Sequence, residues 1–480
     1  MSEHAMTPSI LDAFEAISAI PRRSKDEARV REWLESWAKI HGFSSEQDEV
    51  GNLLIRVPAP EGHEDAPSVA LQGHLDMVCE KTPDSTHDFT RDPSPVYYDG
   101  EWMRARGTTL GADNGIAIAM AMVAATVPNF KRPALELLFT IDEETGLTGA
   151  SSLRSGWLKS PRLINIDSED EGVITVGCAG GVDTMLYLPV ERQATPDGQA
   201  FELAVGGLAG GHSGVDINRY RGNAIQLLAR TLLDLMGMDG VLVGAVRGGS
   251  AHNAIPRDAH ATVVIPTAHV AAAQEKVAAL QSVFQAEFRA TDPRLTLSLE
   301  ATDFPADVLT QGSSAAIVDF MLVVPHGVAS MSTDVEGLVE TSNNLATVAL
   351  DRTELAIQTS QRSSVVSRLE AHTQRIEAVA RMAGGRADSG NGYPPWQPNM
   401  DSPMLAQTRA LYQQLFEREM VVEVIHAGLE CGLIGAQYPQ MDMISIGPTI
   451  CDPHCPDESL HVPTVGQVWD LLAALLAELA

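Results

Sequence analysis

Three apolar stretches of this sequence each end in residues that can bind a metal ion. We expect each stretch to be a buried strand, and side chains two residues apart on a strand point to the same side. The stretches and the residues that follow them are 69–71 with His74 and Asp76, 135–141 with Glu143 and Glu144, and 162–166 with Asp167. A histidine and a carboxylate at one strand end are often just a solvated pair, so the other strands decide the interpretation.

A fourth acidic position, Asp113, lies in the glycine-rich segment 107–115, just before an apolar stretch that we predict to be a buried helix over 116–127. One interpretation is an N-cap, because Asp accepts hydrogen bonds from the free N–H groups of a helix start. The other is a ligand-binding turn, because closely spaced glycines let a backbone approach a bound group. At this point both remain open.

These groups are expected to converge, because open α/β sheets bind ligands outside the carboxyl ends of their strands. Neighbouring carboxylates repel one another, and a bound cation explains why they cluster. Imidazole and carboxylate are zinc ligands. Two ions need a shared carboxylate, and a further carboxylate must stay free to take a proton from water. The pattern therefore favours a two-zinc hydrolase.

The chain is long enough for more than one domain, with 480 residues of which 44% are hydrophobic. Between residues 181 and 395 the predicted strands and helices carry no His-x-Asp or Glu-Glu cluster at their ends. We predict an α/β catalytic domain, formed by residues 1–180 and 396–480, with a mixed central sheet flanked by helices. Residues 181–395 would form an inserted α+β domain.

Charge and composition exclude several classes of function. The net charge of −30 argues against nucleic acid and anionic membranes as partners. The sequence has no apolar run of about 20 residues and no secretory signal at its N-terminus, so we expect a cytoplasmic protein. Five cysteines are too few for a disulfide framework, and Cys451 and Cys455 lack the second pair that a structural zinc site requires.

The ordered motifs resemble those of the zinc-dependent aminoacylase, carboxypeptidase and dipeptidase superfamily, and within it those of the Xaa-His dipeptidases. The resemblance covers nearly the whole chain. It is carried by residues 20–22, 73–78, 111–115, 142–146, 165–169, 210–214, 253–257, 340–345, 362–364, 426–432 and 460–463.

The resemblance implies that Asp113 bridges two zinc ions, through a cis peptide bond to Asn114. His74 and Asp167 would complete one ion, and Glu144 and His461 the other. By itself His461, between Leu460 and Val462, is more typical of a core residue than of a ligand. A weaker candidate is His454. It precedes Cys455, which stands where the family usually has Ser.

The resemblance also implies roles for the remaining site residues. Asp76 would orient His74, and Glu143 would be the general base that takes a proton from water. His212, in the motif Gly-Gly-His-Ser-Gly, would stabilise the oxyanion; without the resemblance, a simple tight turn is the alternative. The substrate-binding candidates are Asn253 and Arg362 for the terminal carboxylate and Glu430 for the free amino group.

The expected function is hydrolysis of small dipeptides, most of all Xaa-His dipeptides such as carnosine, with two Zn²⁺ per subunit that Mn²⁺ or Co²⁺ can replace. The inserted domain would be a lid and a dimerisation surface of a homodimer. Two alternatives stay open. One is a broader dipeptidase or an N-acyl-amino-acid amidohydrolase with the same chemistry, and the other is a catalytically silent metal-binding or interaction protein.

Overall fold

A computed structural model describes residues 4–333, 335 and 337–480. The N-terminal segment on which the localisation prediction depends is therefore described only from His4. The chain forms two compact units. The first comprises Met1–Cys178, Trp396–Val424 and Leu429–Ala480, and the second comprises Ala179–Pro395 and Ile425–Gly428. The boundaries near residues 178 and 395 lie close to those expected from the sequence, whereas the short return of the chain to the second unit at Ile425–Gly428 was not foreseen.

The first unit is built from two parts of the chain. Its N-terminal part contains α1 (Thr7–Ser18), α2 (Ala28–Ile40), β1 (Ser44–Gln47), β2 (Leu53–Val57), β3 (Val69–His74), β4 (Val96–Asp99), β5 (Trp102–Ala105), α3 (Ala112–Thr126), β6 (Leu135–Thr140), α4 (Glu143–Gly146), α5 (Thr148–Ser151), β7 (Arg162–Asn165) and β8 (Val173–Cys178).

The second unit follows. It contains β9 (Gly180–Pro189), β10 (Arg192–Ala194), β11 (Gln199–Gly206), β12 (Gly211–His212), α6 (Ala224–Met236), β13 (Leu242–Gly248), β14 (Ala254–Ile255), β15 (Ala259–Ile265), α7 (Val270–Glu287), β16 (Thr296–Ala301), β17 (Asp307–Leu309), α8 (Gln311–Val323), β18 (Gly327–Met331), β19 (Val339–Leu350), β20 (Glu354–Ser363), α9 (Val366–Met382) and β21 (Arg386–Tyr393), with short 3₁₀ turns at Ile217–Arg219 and Thr267–His269.

The C-terminal part of the chain returns to the first unit. Its elements are α10 (Pro403–Phe416), β22 (Val421–Ile425), α11 (Glu430–Gln437), β23 (Asp442–Ser445), β24 (Ile450–Cys451), β25 (Ser459–His461) and α12 (Val462–Glu478). The last helix begins directly after β25. Pro463 lies in its first turn, where proline needs no hydrogen-bond partner for its nitrogen.

The central sheet of the first unit has the order β1-β2-β6-β3-β7-β23-β8-β22. Strand β3 runs parallel to both β6 and β7, whereas β1, β2 and β6 pair antiparallel, so the sheet is mixed as predicted. In register, His74 lies opposite Thr140, and Gln72 lies opposite Asn165. The segments that follow β3, β6 and β7 therefore leave the sheet at one edge.

Helix α3 packs directly on β3, and its apolar side chains are buried all round, as the sequence predicts. The contact is closest at Gly73, where an added Cβ would lie 2.3 Å from Asn114 Oδ1 and 2.8 Å from the Cβ of Ala117. Asn114 uses that oxygen to accept the N–H of His74 at 3.2 Å and donates to the carbonyl of Ile166 at 2.8 Å. It thus ties the ends of β3 and β7 to the helix start.

The second unit has a sheet of order β16-β11-β15-β13-β19-β20-β9-β21, with β18 on β19, and its apolar core lies against helices α6 to α9. The sequence did not predict β19 and β20 because polar residues such as Ser342, Asn344 and Gln361 interrupt their apolar pattern. All three are buried, and Gln361 donates to Asn343 and Thr359.

Across the described residues, no helix is long and apolar enough to cross a membrane.

We predict that Gly73→Ala destabilises the first unit by about 1–3 kcal/mol, because the new methyl group has to displace Asn114 and the start of α3. Chemical denaturation of the two proteins measures the difference. The control is Gly312→Ala in α8, where an added Cβ meets nothing within 4 Å. Equal midpoints for wild type and Gly73→Ala would contradict the close packing described here.

Candidate metal centre

The edge formed by β3, β6 and β7 gathers nitrogen and oxygen donors around His74. Its Nε2 lies 3.0 Å from Asp113 Oδ1 and 3.5 Å from Asp167 Oδ1, and the His74 side chain is 2% exposed. These three side chains are close enough to share one metal ion. They are the three residues that the resemblance assigned to one ion.

A second group forms around the other oxygen of Asp113. His454 Nε2 lies 3.0 Å from Asp113 Oδ2 and 3.0 Å from Glu144 Oε2. Asp113, Glu144 and His454 can also share one ion. Asp113 thus has one carboxylate oxygen in each group, which is what a bridging carboxylate requires.

Asp113 is not an N-cap. The N-cap position belongs to Gly111, with a left-handed φ of 76°, and Asp113 and Asn114 in the first turn of α3 have non-helical torsion angles. The Asp113 side chain accepts no helix N–H, because both of its oxygens face histidines. The peptide bond between Asp113 and Asn114 is cis, as the resemblance implied.

The structure corrects the expectation for His461. This residue ends β25, where it pairs with Trp102, and its ring lies 4.7 Å from the indole ring. Its Nε2 lies 3.9 Å from Glu101 Oε2, and His461 belongs to none of the possible metal-binding groups among the described residues. The antiparallel pairing with β5 fixes its side chain there, so the histidine that joins the site is His454.

A local signal distinguishes the two histidines. His454 lies in the segment 452–458, which contains Pro453, Pro456 and three acidic residues, a composition typical of a loop. Its left-handed φ of 64° turns the chain there. His461 follows Leu460 and begins a buried helix, so its surroundings favour a structural role.

Asp76 holds His74 and the segment after β6. Its Oδ1 lies 3.3 Å from His74 Nδ1. Its carboxylate also accepts the N–H groups of Glu143 at 3.0 Å and Glu144 at 3.2 Å, and the hydroxyl of Ser24 at 2.8 Å. Burial would raise the pKa of Asp76, but the hydrogen bond and charge of His74 together with these donors lower it to about 2. Asp76 is therefore a fixed anion.

The same contacts shift the pKa values of these groups. Hydrogen bonds to Asp113 and Glu144 raise the pKa of His454 to about 11. Burial opposes a charge on His74, but Asp167 and Asp113 raise its pKa well above the usual value. Burial would also raise the pKa of Asp113, yet the two histidines lower it below its normal range.

The donor set fits metal ions. Imidazole nitrogen and carboxylate oxygen are the donors that zinc and similar divalent ions take. In addition, Glu144 Oε1 is buried and has no hydrogen-bond partner among the described residues. A buried carboxylate oxygen without a partner is costly unless a cation approaches it.

Glu143 is half-buried beside these groups. Burial raises the pKa of its carboxyl well above the usual value, with His74 acting in the opposite direction. Glu143 can form a group with His74 and Glu144 as well.

The second unit brings the other predicted residues together. Strand β12 pairs with β14, and the N–H of Ser213 donates to the Asn253 carbonyl at 2.8 Å. The Arg362 guanidinium donates to Ser213 Oγ at 3.3 Å and to the Tyr393 hydroxyl at 2.6 Å. His212, Asn253 and Arg362 therefore surround Ser213, although they come from distant parts of the sequence.

His212 has a defined orientation. Its Nδ1 accepts the N–H groups of Gly214 and Val215, each at 3.3 Å, so in the neutral ring the proton is on Nε2. Partial burial and the charge of Arg362 lower the pKa of His212, which favours this neutral form. Its Nε2–H is thus available as a hydrogen-bond donor.

Glu430 begins α11 and is 1% exposed. Its Oε2 accepts hydrogen bonds from Gln72 at 2.6 Å and Thr140 at 2.7 Å, and its Oε1 has no partner among the described residues. Burial raises the pKa of Glu430 to about 7. The structure places this carboxyl among the central strands of the first unit.

Residues 70–478 match the model of the peptidase family M20/M25/M40. The chain belongs to this family. It is a metal-dependent peptidase, an enzyme that hydrolyses peptide bonds, and the mixed α/β fold is that of the family. This membership confirms the superfamily inferred from the motifs.

Similar members of the M20/M25/M40 family cover almost the whole chain. The cytosol non-specific dipeptidase of Escherichia coli is 41% identical over 475 residues, which are 98% of this chain and 97% of that protein. The crystal structure of aminoacylhistidine dipeptidase from Vibrio alginolyticus has a TM-score of 0.91 at 38% identity and covers 98% of this chain and 96% of that one. A more distant structure, the aminopeptidase PepT of Bacillus cereus, shares the fold with a TM-score of 0.58 at 15% identity over 98% of each chain.

We predict that His454→Ala weakens metal binding and lowers activity by at least about tenfold, whereas His461→Ala leaves the bound metal unchanged. The reason is that His454 contacts Asp113 and Glu144 while His461 stacks on Trp102. Elemental analysis after dialysis, together with peptide hydrolysis, measures both effects. If His461→Ala loses metal while His454→Ala retains all of it, His461 is the ligand, as the resemblance implied.

Proposed function

We propose that the chain is a cytoplasmic dipeptidase with a dinuclear zinc site and Glu143 as general base, and that Xaa-His dipeptides such as carnosine are among its substrates. The position of Asp113, with one carboxylate oxygen toward His74 and the other toward His454, carries this proposal. The names of the two similar dipeptidases support dipeptides as the substrate class. No role with nucleic acid or membranes is proposed.

The proposed ligands are His74 and Asp167 for one ion, Glu144 and His454 for the other, and Asp113 for both. The ions would polarise the scissile carbonyl and lower the pKa of a water molecule. Zinc is the proposed metal, and Mn²⁺ or Co²⁺ can take its place because such donor sets accept several divalent ions.

Separate side chains would transfer the proton and orient the metal ligand. Glu143 would take a proton from the attacking water and pass it to the leaving amine. Asp76 would keep His74 in one orientation by binding its Nδ1. Because Asp76 also accepts the N–H groups of Glu143 and Glu144, it would position the base as well as the ligand.

The second unit is proposed to bind the substrate and to act as a lid. It would also form the dimerisation surface of a homodimer. His212 would donate from Nε2 to the developing oxyanion. Arg362 would grip the terminal carboxylate with Asn253 nearby, since a guanidinium can bind a carboxylate through two hydrogen bonds. A role for Glu430 with the free amino group rests on its unpaired Oε1, because Oε2 already accepts from Gln72 and Thr140.

A second candidate is a dipeptidase of broader specificity. It is favoured by the similarity to an enzyme named as non-specific, at an identity comparable to that with the aminoacylhistidine dipeptidase. An N-acyl-amino-acid amidohydrolase would use the same chemistry. A catalytically silent protein is disfavoured, because the donor groups and Glu143 are all present at the site.

A substrate profile tests the proposal. We expect the zinc-loaded protein to hydrolyse carnosine and Gly-His, because the two proposed ions and Glu143 act on the peptide bond itself. Ala-Leu and N-acetyl amino acids serve as comparison substrates, and free histidine is measured by chromatography. Equal hydrolysis of Ala-Leu supports the broader dipeptidase. Turnover of the acylated amino acids with no cleavage of any dipeptide would overturn the proposal.

We predict that Glu143→Ala keeps its metal and loses at least about 100-fold in kcat, because general base catalysis contributes on that order. Metal content and single-substrate kinetics are measured on the same sample. The control is Glu101→Ala, whose side chain is 62% exposed and lies near His461. Substantial residual kcat in metal-loaded Glu143→Ala would remove Glu143 from the role of base.

A further inference from the structure

The turn that carries Asp113 lies between two buried residues of opposite charge, Arg22 and Glu458, for which the proposed chemistry has no role. Arg22 is 1% exposed and Glu458 is 2% exposed. A buried charge is unfavourable unless it is paired or fully hydrogen-bonded. Glu458 finds its partners in the backbone of this turn, and Arg22 finds them in the turn and in the backbone of Leu75 and Asp76.

The carboxylate of Glu458 binds the backbone N–H groups of the turn. Its Oε2 accepts from Leu110 at 2.7 Å and Gly111 at 2.9 Å, and its Oε1 accepts from Ala112 at 2.8 Å and Asp113 at 3.3 Å. One side chain thereby holds four consecutive N–H groups at the start of α3. These are donors that a helix start cannot satisfy internally.

The guanidinium of Arg22 binds backbone carbonyl groups of the turn and of the segment after His74. Its Nη2 donates to the carbonyl of Gly111, and its Nη1 donates to the carbonyls of Leu75 at 3.0 Å and Asp76 at 2.8 Å. An added Cβ on Gly111 would lie 2.6 Å from Arg22 Nη2. The left-handed φ and this close contact both require glycine there.

The two residues connect the three segments that carry the central donors. Arg22 binds the chain directly after His74, and Glu458 lies four residues after His454 in the same loop. That loop is closed by the hydrogen bond from Glu458 N–H to the Cys455 carbonyl at 3.0 Å. The Asp113 turn lies between them and is held by both.

We propose that Arg22 and Glu458 are positioning residues that fix the Asp113 turn against His74 and His454 and so set the geometry of both metal positions. This inference rests on the proposed metal centre. Stability alone does not call for two buried charged residues here, since buried charged groups can often be replaced by apolar residues without loss of stability. What the pair supplies is a defined position for Asp113.

The test compares Co²⁺-loaded wild type with Arg22→Met and Glu458→Gln. We expect both variants to change the visible absorption spectrum of bound Co²⁺ and to lower kcat about 10- to 100-fold with little change in KM. The double variant should lose about as much as the worse single variant, because both residues act on one turn. If Arg22→Met does not fold, Arg22→Lys takes its place in the test, because lysine keeps the positive charge but lacks the planar guanidinium group.

Two matched controls exist in the same unit. Arg132 is 7% exposed and donates to the carbonyls of Pro58 at 2.9 Å and Pro133 at 3.0 Å, and Glu136 is 4% exposed and accepts N–H groups of Lys159 and Ser160 at 2.8 Å. We expect Arg132→Met and Glu136→Gln to lower stability without changing the Co²⁺ spectrum or kcat.

The outcomes separate this inference from the proposed function. An unchanged Co²⁺ spectrum and kcat in Arg22→Met and Glu458→Gln, with stability lowered as in the controls, would overturn the positioning role. If the wild type binds Co²⁺ but cleaves no dipeptide, the proposed function fails and the spectra still decide the role of the pair. If the wild type binds no Co²⁺, both fail.

Discussion

The repulsion among acidic side chains at one sheet edge is the constraint on which the rest of this structure depends. Parallel pairing of β3 with β6 and β7 brings the ends of the three strands together, and acidic residues follow all three. Such a cluster is stable only where opposite charges or donors compensate it. The structure supplies histidines for Asp113, backbone N–H groups for Asp76, and a buried arginine on the carbonyl groups behind them.

Beneath this edge the strands are joined by buried polar side chains. Asn165 of β7 donates to Gln72 of β3 at 2.6 Å, and Gln72 and Thr140 both donate to Glu430. On the other side, Ser445 of β23 donates to Asn165. A connected network of this kind rigidifies a core when its members are satisfied. This network links β3, β6, β7 and β23 beneath the residues that carry the charge, and Glu430 Oε1 is left without a partner among the described residues.

Much of this arrangement could be predicted from the sequence. Apolar strands that end in acids identified His74, Glu144 and Asp167 as candidates beside Asp76 and Glu143. The glycine-rich turn left Asp113 open between a cap and a ligand, and the resemblance selected the ligand set. The resemblance selected His461 over His454, although the prolines around His454 favour a loop; the pairing of β25 with β5, which is non-local, is what places His461 against Trp102. For the same reason the insertion of β23 between β7 and β8 was not visible, since non-local pairing leaves no local periodic signal. The resemblance located His212 and Arg362, but their meeting at Ser213 is a result of the fold.

The order of the segments along the chain has a consequence for protein synthesis. His454 and Glu458 follow the whole second unit in sequence, and β23, which pairs with β7, also comes late. At about 5–20 residues per second, a ribosome needs about 20 to 90 s to reach them. Until then the nascent chain carries the acidic edge without the loop that completes it. Peptidase activity would thus be withheld from unfinished chains by the order of the segments.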